Sequence, residues 1–306
     1  MTRVAQLSVA ISTRDRADAL ERCLNSLAAG IVSPAEVVVV DQSATDTTDL
    51  VITNQQQDAM AIRYVRQSPL GLAVSQNFAL SQATYPIVAV IDDDCVADPM
   101  WLATIGQAFA TSPELGVVTG RVLPLDAKGE RIYPVSSRTS PVRREFSGKT
   151  IPWPVGSGNN FAVRTEWFRR VGGCDERLGP GSPGQGGMDM DLFYRLLRAG
   201  ARIRYEPDAI VYHERQDKAG RLARRPMYGY GMGASCALRL REGDGYAMRM
   251  LGFWLFFRSR LFGRALLRLR WMSMYEEWLM LRSSLRGLAY GLRVDRPARA
   301  SEADIP

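Results

Sequence analysis

A single histidine, His213, occurs in 306 residues, and the four cysteines (Cys23, Cys95, Cys174, Cys236) stand far apart with no partner cysteine or histidine nearby. That scarcity excludes the Cys/His zinc spacings and a disulfide-stapled secreted scaffold, and it reads as reduced thiols in a cytosolic chain. Met1 to Thr13 moves straight into a strand pattern without a basic n-region, a long apolar core or a cleavage signature, so no export is expected. The turn after the first strand is Arg14-Asp15-Arg16-Ala17 rather than G-x-G-x-x-G, and no G-x-x-x-x-G-K-[ST] occurs. Dinucleotide-binding and P-loop readings therefore lose their phosphate cradles. The segment Gly229 to Gly233 is glycine-rich but follows no strand, and is read as a close-packing or hinge segment.

What is present centres on Ile87-Val88-Ala89-Val90-Ile91 followed at once by Asp92-Asp93-Asp94. Five apolar, mostly β-branched residues form a strand buried on both faces, and three carboxylates at its end require full solvation or a cation. The flanking chain alternates strand and helix. Strands are expected over 7–13, 36–41 and 62–65, with helices over 17–29, from a cap at Asp46 to Thr48, and from Pro69 onward. With 46% hydrophobic residues, the chain can bury one large domain or two. The alternation predicts an α/β fold with a mostly parallel doubly wound sheet and helices on both faces. It also brings Thr13-Arg14, Asp41 and Asp92 to Asp94 to one sheet edge, where ligands bind in such folds.

Charge divides the chain. Residues 1–214 carry 21 Lys and Arg against 24 Asp and Glu, whereas residues 215–296 carry 17 against 6, nearly all arginine. A basic tail on a mildly acidic body suggests a surface that docks on anions. A helix over 222–240 is followed by the breaker Glu242-Gly243-Asp244-Gly245. Beyond it, about 100° per residue places Leu251, Trp254, Leu255, Leu261, Phe262, Ala265, Leu266, Leu269 and Met272 on one half of a wheel. Arg249, Arg260, Arg264 and Arg268 cluster opposite. A second helix carries Trp278, Leu281, Leu285, Leu288 and Leu292 on one stripe, with Arg282, Arg286 and Arg293 on its border. The uncharged run Met250 to Phe257 is far shorter than the ~20 residues of a membrane span. Both helices are therefore expected to lie on an anionic membrane surface, the alternative being a cover for the rest of the chain or a dimer partner. Residues 297–306 are expected to be disordered.

These residues resemble the family 2 inverting glycosyltransferases, whose nucleotide-diphospho-sugar-binding fold is called GT-A, over roughly residues 7–240. Ser12-Thr13-Arg14-Asp15-Arg16 is similar to the family's first loop, and Val40-Asp41-Gln42-Ser43-Ala44-Thr45-Asp46 to its V-D-x-S-x-D loop. Gly71-Leu72-Ala73 with Asn77 is similar to its helix under the nucleotide, and Asp92-Asp93-Asp94 falls at its D-x-D. The resemblance continues through Gly156 to Arg164, Val171-Gly172-Gly173-Cys174-Asp175-Glu176-Arg177-Leu178, and Gly187-Met188-Asp189-Met190-Asp191-Leu192. Tyr212-His213 falls where relatives often place a metal ligand. The resemblance implies that Thr13, Arg14, Asp15, Arg16, Asp41, Ser43, Gly71, Asn77, Asp92 and Asp93 bind the nucleotide-sugar. It implies further that Asp94 and His213 hold Mn²⁺ or Mg²⁺, and that Gly158, Asn159, Asn160, Met188 and Asp191 lie on the sugar or acceptor side. Two departures stand out: Cys174 where an aromatic is usual, and Met188 where relatives carry Glu.

Inverting transfer is one in-line displacement at the anomeric carbon, needing a base on the acceptor hydroxyl and charge neutralisation of the departing diphosphate. Asp94, His213 and the diphosphate suffice for the metal, and histidine leans toward Mn²⁺. Asp189 and Asp191 lie about 200° apart on a helix, so only one faces the site; Asp189 is expected as base and Asp191 as a brace. The loop 181–187 is expected to order around donor.

The expected organisation is a catalytic domain over 1–240 (nucleotide half 1–120, acceptor half 121–240), an Arg-rich helical region over 241–296, and the tail. The expected function is metal-dependent transfer of a sugar from a nucleoside diphosphate sugar to a hydroxyl, on a lipid-linked or cell-envelope glycan, at the inner face of the cell membrane. Nucleic acid is not an expected partner; a second copy meeting the C-terminal helices is. The rival readings are a sugar-1-phosphate nucleotidyltransferase, which wants G-G-x-G-T-R after the first strand, and a nucleotide-sugar-binding module impaired by Met188.

Overall fold

The computed structural model of the chain describes residues 3–56 and 60–294, so the tail expected over residues 297–306 lies outside the described residues. In chain order the elements are β1 (Arg3–Thr13), α1 (Ala17–Ala28), β2 (Val32–Asp41), α2 (Thr47–Gln56), β3 (Ile62–Arg66), α3 (Leu72–Gln82), β4 (Ile87–Ile91), β5 (Cys95–Ala97), α4 (Trp101–Thr111), β6 (Leu115–Pro124), β7 (Arg144–Phe146), β8 (Asn160–Arg164), α5 (Thr165–Arg170), α6 (Met188–Arg198), β9 (Arg202–His213), α7 (Lys218–Arg241), α8 (Tyr246–Leu267) and α9 (Trp271–Arg293). They form two compact units. One runs to Glu176 and adds Met188–Arg224; the other joins Arg177–Gly187 to the chain from Arg225 onward.

The first unit is built on a nine-stranded sheet in the order β3-β2-β1-β4-β8-β6-β9-β5, with β7 paired to β9. Val37 to Val40 of β2 are all fully buried, as are Val9 and Ile11 of β1 and Ala89 and Ile91 of β4. Strands apolar on both faces need cover on both, and the intervening helices supply it. On α1 the cover is the stripe Leu20, Cys23, Leu24 and Leu27, spaced for one helical face and buried in the core with Trp101, Ile105 and Phe109 of α4. The half β3-β2-β1-β4 is entirely parallel. The other half is mixed: β8 runs antiparallel to β4 and β6, β6 and β9 are parallel, and β5 and β7 run antiparallel to β9. Asp46, expected as a cap of α2, instead pairs its carboxylate with Arg66, while its carbonyl accepts the Asp49 N–H at 3.1 Å.

In the second unit, the apolar stripes of the helical wheels are only partly buried. The buried residues of α9 are Glu276, Glu277, Met280, Ser283, Ser284, Gly287 and Gly291. The apolar stripe expected to face a membrane is left largely outward, with Leu285 56% exposed, Trp278 and Leu292 also exposed, and Leu281 and Leu288 half-buried. The cause is close packing on α7. A Cβ on Gly229, Gly233 or Gly287 would strike backbone of Met280, Ser284 and Tyr230 respectively, and one on Gly291 would lie 2.6 Å from the Ala234 carbonyl. Helices that approach this closely accept only small residues at the seam, so the large apolar side chains are displaced to the free faces. The Gly229 to Gly233 segment is thus a close-packing stretch. Burial of Glu276 and Glu277 is balanced by Arg225 at 3.0 Å and Arg258 at 3.3 Å. On α8, Leu251, Trp254 and Ala265 of the expected face are buried, but Leu266 is exposed alongside Phe253, Phe256 and Phe257, as is Leu269 just beyond the helix. No helix among the described residues is long and apolar enough to cross a membrane.

Candidate functional site

Strand register assembles the site at the carboxyl edge of the first unit's sheet. Thr13 and Asp41 are paired at the ends of β1 and β2, and β4 delivers Asp92 to Asp94 beside them. Antiparallel pairing adds what the parallel half lacks: Ile91 pairs with Asn160, and Cys95 pairs with His213, which brings the one histidine against Asp94. The Thr13 hydroxyl donates to Asp93 Oδ2 at 2.8 Å, and Arg16 Nη1 donates to Asp93 Oδ1 at 3.2 Å and Asp94 Oδ2 at 2.9 Å.

The three aspartates disfavour each other's charge. Burial first, then Asp94, pushes the Asp93 carboxyl up to about 6. Burial, followed by Asp94 and Asp93, holds Asp92 well above the ordinary carboxylate range. Burial works against the charged form of Arg16, and Asp93 and Asp94 more than offset it.

A cation fits between Asp94 and His213. His213 Nδ1 lies 2.8 Å from the Glu214 carbonyl, which assigns the proton to Nδ1 and turns the Nε2 lone pair outward. That lone pair faces Asp94 Oδ1 at 3.5 Å, and Asp94 Oδ1 is a buried oxygen with no hydrogen-bond partner. Cys95 Sγ falls within 4.8 Å of both ligand atoms. Burial, then Asp94 and Asp92, holds the Cys95 thiol well above its ordinary value, so the donors on offer are oxygen and nitrogen, a set suited to Mn²⁺ or Mg²⁺. The Asn159 side chain completes the surroundings, with Nδ2 3.7 Å from Cys95 Sγ and a buried, unpartnered Oδ1. Cys95 was not singled out from the sequence, because its proximity to His213 depends on the β5–β9 pairing.

Asp189 is held at the start of α6. Its Oδ2 accepts the Gly158 N–H at 3.0 Å and its Oδ1 accepts the Met190 N–H at 2.9 Å. A Cβ on Gly158 would lie 2.9 Å from Asp189 Cβ, so only glycine permits this approach. Asp191 points the other way: it is fully buried, and its Oδ2 accepts from Arg195 Nε at 2.7 Å, while Arg195 Nη1 donates to the Val171 carbonyl at 2.6 Å. Met188 is 4% exposed and packs inward.

Several expected nucleotide or sugar residues have their polar groups occupied by the protein itself. Asp41 is fully buried, accepting from Tyr64 Oη at 2.8 Å and the Ser43 N–H at 2.8 Å. Asn77 accepts the Cys174 N–H at 2.7 Å and donates to the Cys174 carbonyl at 3.0 Å and Glu176 at 2.9 Å. Asn160 accepts from Trp101 Nε1 at 2.9 Å and donates to the carbonyls of Arg121 and Ala209. These three knit the edge together. Gly71, at φ 106°, starts α3, a left-handed position suited to glycine. Ser43 Oγ accepts the Asp15 N–H at 2.7 Å, and Asp15 itself has φ 54°, a strained conformation for a non-glycine residue beside the open, half-exposed Arg14.

The family described as glycosyl transferase family 2 matches residues 8–172. A pre-mycofactocin glycosyltransferase of Mycobacterium tuberculosis is 27% identical over 98% of this chain and 59% of its own length. A validoxylamine A glucosyltransferase of Streptomyces hygroscopicus subsp. limoneus is 30% identical over 65% of this chain and 49% of its own. The chain thus spans about half to three-fifths of the length of these relatives. Among solved structures, a mannosyltransferase from Pyrobaculum calidifontis in complex with GDP-Man and Mn²⁺ superposes with a TM-score of 0.59 at 19% identity, covering 97% of this chain and 77% of that one.

Proposed function

Because the chain belongs to glycosyl transferase family 2, we propose that it moves a sugar from a nucleoside diphosphate sugar onto an acceptor hydroxyl in one inverting displacement assisted by Mn²⁺ or Mg²⁺. The observation that carries this reading is the buried, unpartnered Asp94 Oδ1 facing His213 Nε2 at 3.5 Å. A similar fold that binds GDP-Man and Mn²⁺ supports it.

Asp94 and His213 would hold the ion, which when bound neutralises charge on the departing diphosphate. Thr13, Arg14, Asp15, Arg16, Ser43, Asp92 and Asp93 line the edge where the nucleotide-sugar would lie. Asp41 and Asn77 support that edge through the bonds given above, and Gly71 through Gln42, whose side chain accepts the Gly71 N–H and donates to its carbonyl, both at 3.3 Å. Asp189 would take the proton of the acceptor hydroxyl: its two backbone N–H bonds fix its orientation and leave each oxygen a further lone pair for that hydroxyl. Gly158 and Asn159 stand on the sugar side, and Asp191 acts through Arg195 by bracing α6.

In this reading residues 1–240 are catalytic, with nucleotide and acceptor halves meeting at residue 120, and residues 241–296 rest on the inner face of the membrane, where a lipid-linked or envelope glycan acceptor resides. Exposed Phe256, Leu267 and Trp271 with exposed Arg260, Arg264 and Arg268 support the membrane placement. A thermal-shift series with UDP, GDP and their sugars tests the donor site. The melting temperature should rise with nucleotide when Mn²⁺ or Mg²⁺ is present, by the equivalent of about 2.7 kcal/mol at a hundredfold excess over Kd. No rise with any nucleotide and metal would refute the reading.

A further inference from the structure

Arg16 occupies the acidic edge in a way that an ordinary structural ion pair would not. It is the N-cap of α1, a position that favours Ser, Thr, Asp or Asn, and it makes no side-chain cap bond. A cation there also opposes the positive end of the helix dipole. Its backbone is anchored, since the Arg16 carbonyl accepts from the N–H groups of Ala19 and Leu20, both at 3.0 Å. The side chain is 46% exposed, yet one nitrogen bridges Asp93 and Asp94. A local stability cost is thus accepted to set a half-exposed positive charge on the carboxylate assigned to the metal.

We propose that Arg16 is a built-in counter-ion for Asp94 that a divalent cation displaces, and that the released guanidinium then binds the diphosphate arriving with that cation. This rests on the metal reading above. Asp94 offers Oδ2 to Arg16 while Oδ1 faces His213, so an ion on Asp94 and His213 would stand beside the guanidinium. The two positive charges repel, and the Arg16–Asp94 bond loses the charge that sustained it. With the Asp94 bond lost, the guanidinium keeps only its longer bond to Asp93, 3.2 Å, and can turn without moving the anchored backbone to pair with phosphate oxygens in its planar fork. The same exchange couples the ligands: metal alone must break the Arg16 bond, whereas metal with diphosphate gives Arg16 a new partner. Each ligand therefore strengthens the other by the same factor.

The test is Mn²⁺ binding followed by electron paramagnetic resonance, without nucleotide and with UDP or GDP, on wild type, Arg16→Gln, Arg16→Lys and Asp94→Ala, each checked for an unchanged melting temperature. The exchange predicts that Arg16→Gln binds Mn²⁺ alone about fivefold or more tightly than wild type, yet binds nucleoside diphosphate in saturating Mn²⁺ about tenfold or more weakly. Arg16→Lys, which keeps the charge but not the fork, should fall between on both measurements. A loss of nucleotide affinity with no gain in Mn²⁺ affinity overturns the exchange and leaves Arg16 a simple phosphate ligand. Unchanged values for both leave it a surface ion pair, and equally overturn the proposal. If wild type and Asp94→Ala bind Mn²⁺ alike, the metal reading itself fails, a result distinct from either.

Discussion

The sheet edge of the first unit and the helices of the second depart from ordinary polarity in opposite directions. At the edge, where burial favours apolar or fully paired groups, three aspartates crowd together and Asp94 Oδ1 and Asn159 Oδ1 are buried without partners. On α8 and α9, where solvent favours polar groups, Phe256 is 66% and Leu267 86% exposed while Glu276 and Glu277 are buried. Each departure costs stability in isolation, and under the proposed function each would be relieved by a different partner: a cation with an anionic ligand at the edge, an apolar phase bordered by anions at the helices. The comparison teaches where to test each unit: crowded buried carboxylates call for a cation, and exposed apolar faces for an apolar surface.

The strongest way to break this contrast is at the edge. Asp94→Ala removes the carboxylate assigned to the metal and is expected to abolish transfer and metal-dependent nucleotide binding with the melting temperature nearly unchanged. Calorimetric titration with UDP or GDP and Mn²⁺ checks this, and undiminished affinity would return the edge to a structural role. Next comes Asp189→Asn, which keeps an oxygen for the Gly158 N–H but removes the base. Turnover should fall roughly 10²- to 10⁴-fold while donor affinity holds. Normal turnover in a steady-state assay would show that the proton leaves by another route.

How far each unit was legible follows from the range of its contacts. The apolar pattern of β1, the valine run of β2, the acids at the ends of β2 and β4, and the stripe on α1 are local patterns, and the first half of the sheet was readable from them. The second half depends on strands pairing across long separations. Nothing near Asp94 in sequence says that β9 returns antiparallel to β5 to place His213 beside it, and motif resemblance alone connected the two. Nor does sequence show that Asn77, Asn160 and Asp41 are bonded within the protein itself, to backbone and Glu176, to Trp101 and backbone, and to Tyr64 and backbone respectively. On α9 the wheel found the apolar stripe correctly, but could not show that Gly229, Gly233, Gly287 and Gly291 make the small-residue face the packed one.

A smaller effect sharpens the helical side. Arg260, Arg264 and Arg268 are exposed, and each basic residue near an anionic surface contributes about 1 kcal/mol. Replacing all three by Gln should lower partitioning onto anionic vesicles by roughly 10²-fold at low salt. Co-sedimentation at low and high salt measures it, and donor binding should be untouched. If the wild type never sediments with anionic vesicles, the exposed apolar faces belong to a second copy of the chain, which sedimentation velocity would then reveal.

The smallest effect concerns Met188, the residue that departs from the family's Glu. At 4% exposure it is part of the packing under α6, whereas its neighbour Asp189 reaches Gly158 at the edge. A buried thioether contributes by filling space, and Leu fills nearly the same volume without a polar atom, so Met188→Leu should cost less than about 1.5 kcal/mol of stability. Turnover and the acceptor KM should stay within a few-fold of wild type, because nothing that touches the acceptor has changed. Met188→Glu, by contrast, would bury a carboxylate close to Asp189 and Asp191, and should lower the melting temperature clearly without improving turnover. Thermal melts and steady-state kinetics on the two variants separate the possibilities. A gain of activity in Met188→Glu at unchanged stability would mean that this side chain reaches the acceptor after all, and that the inward packing of Met188 is a substitution of function rather than a filler of space.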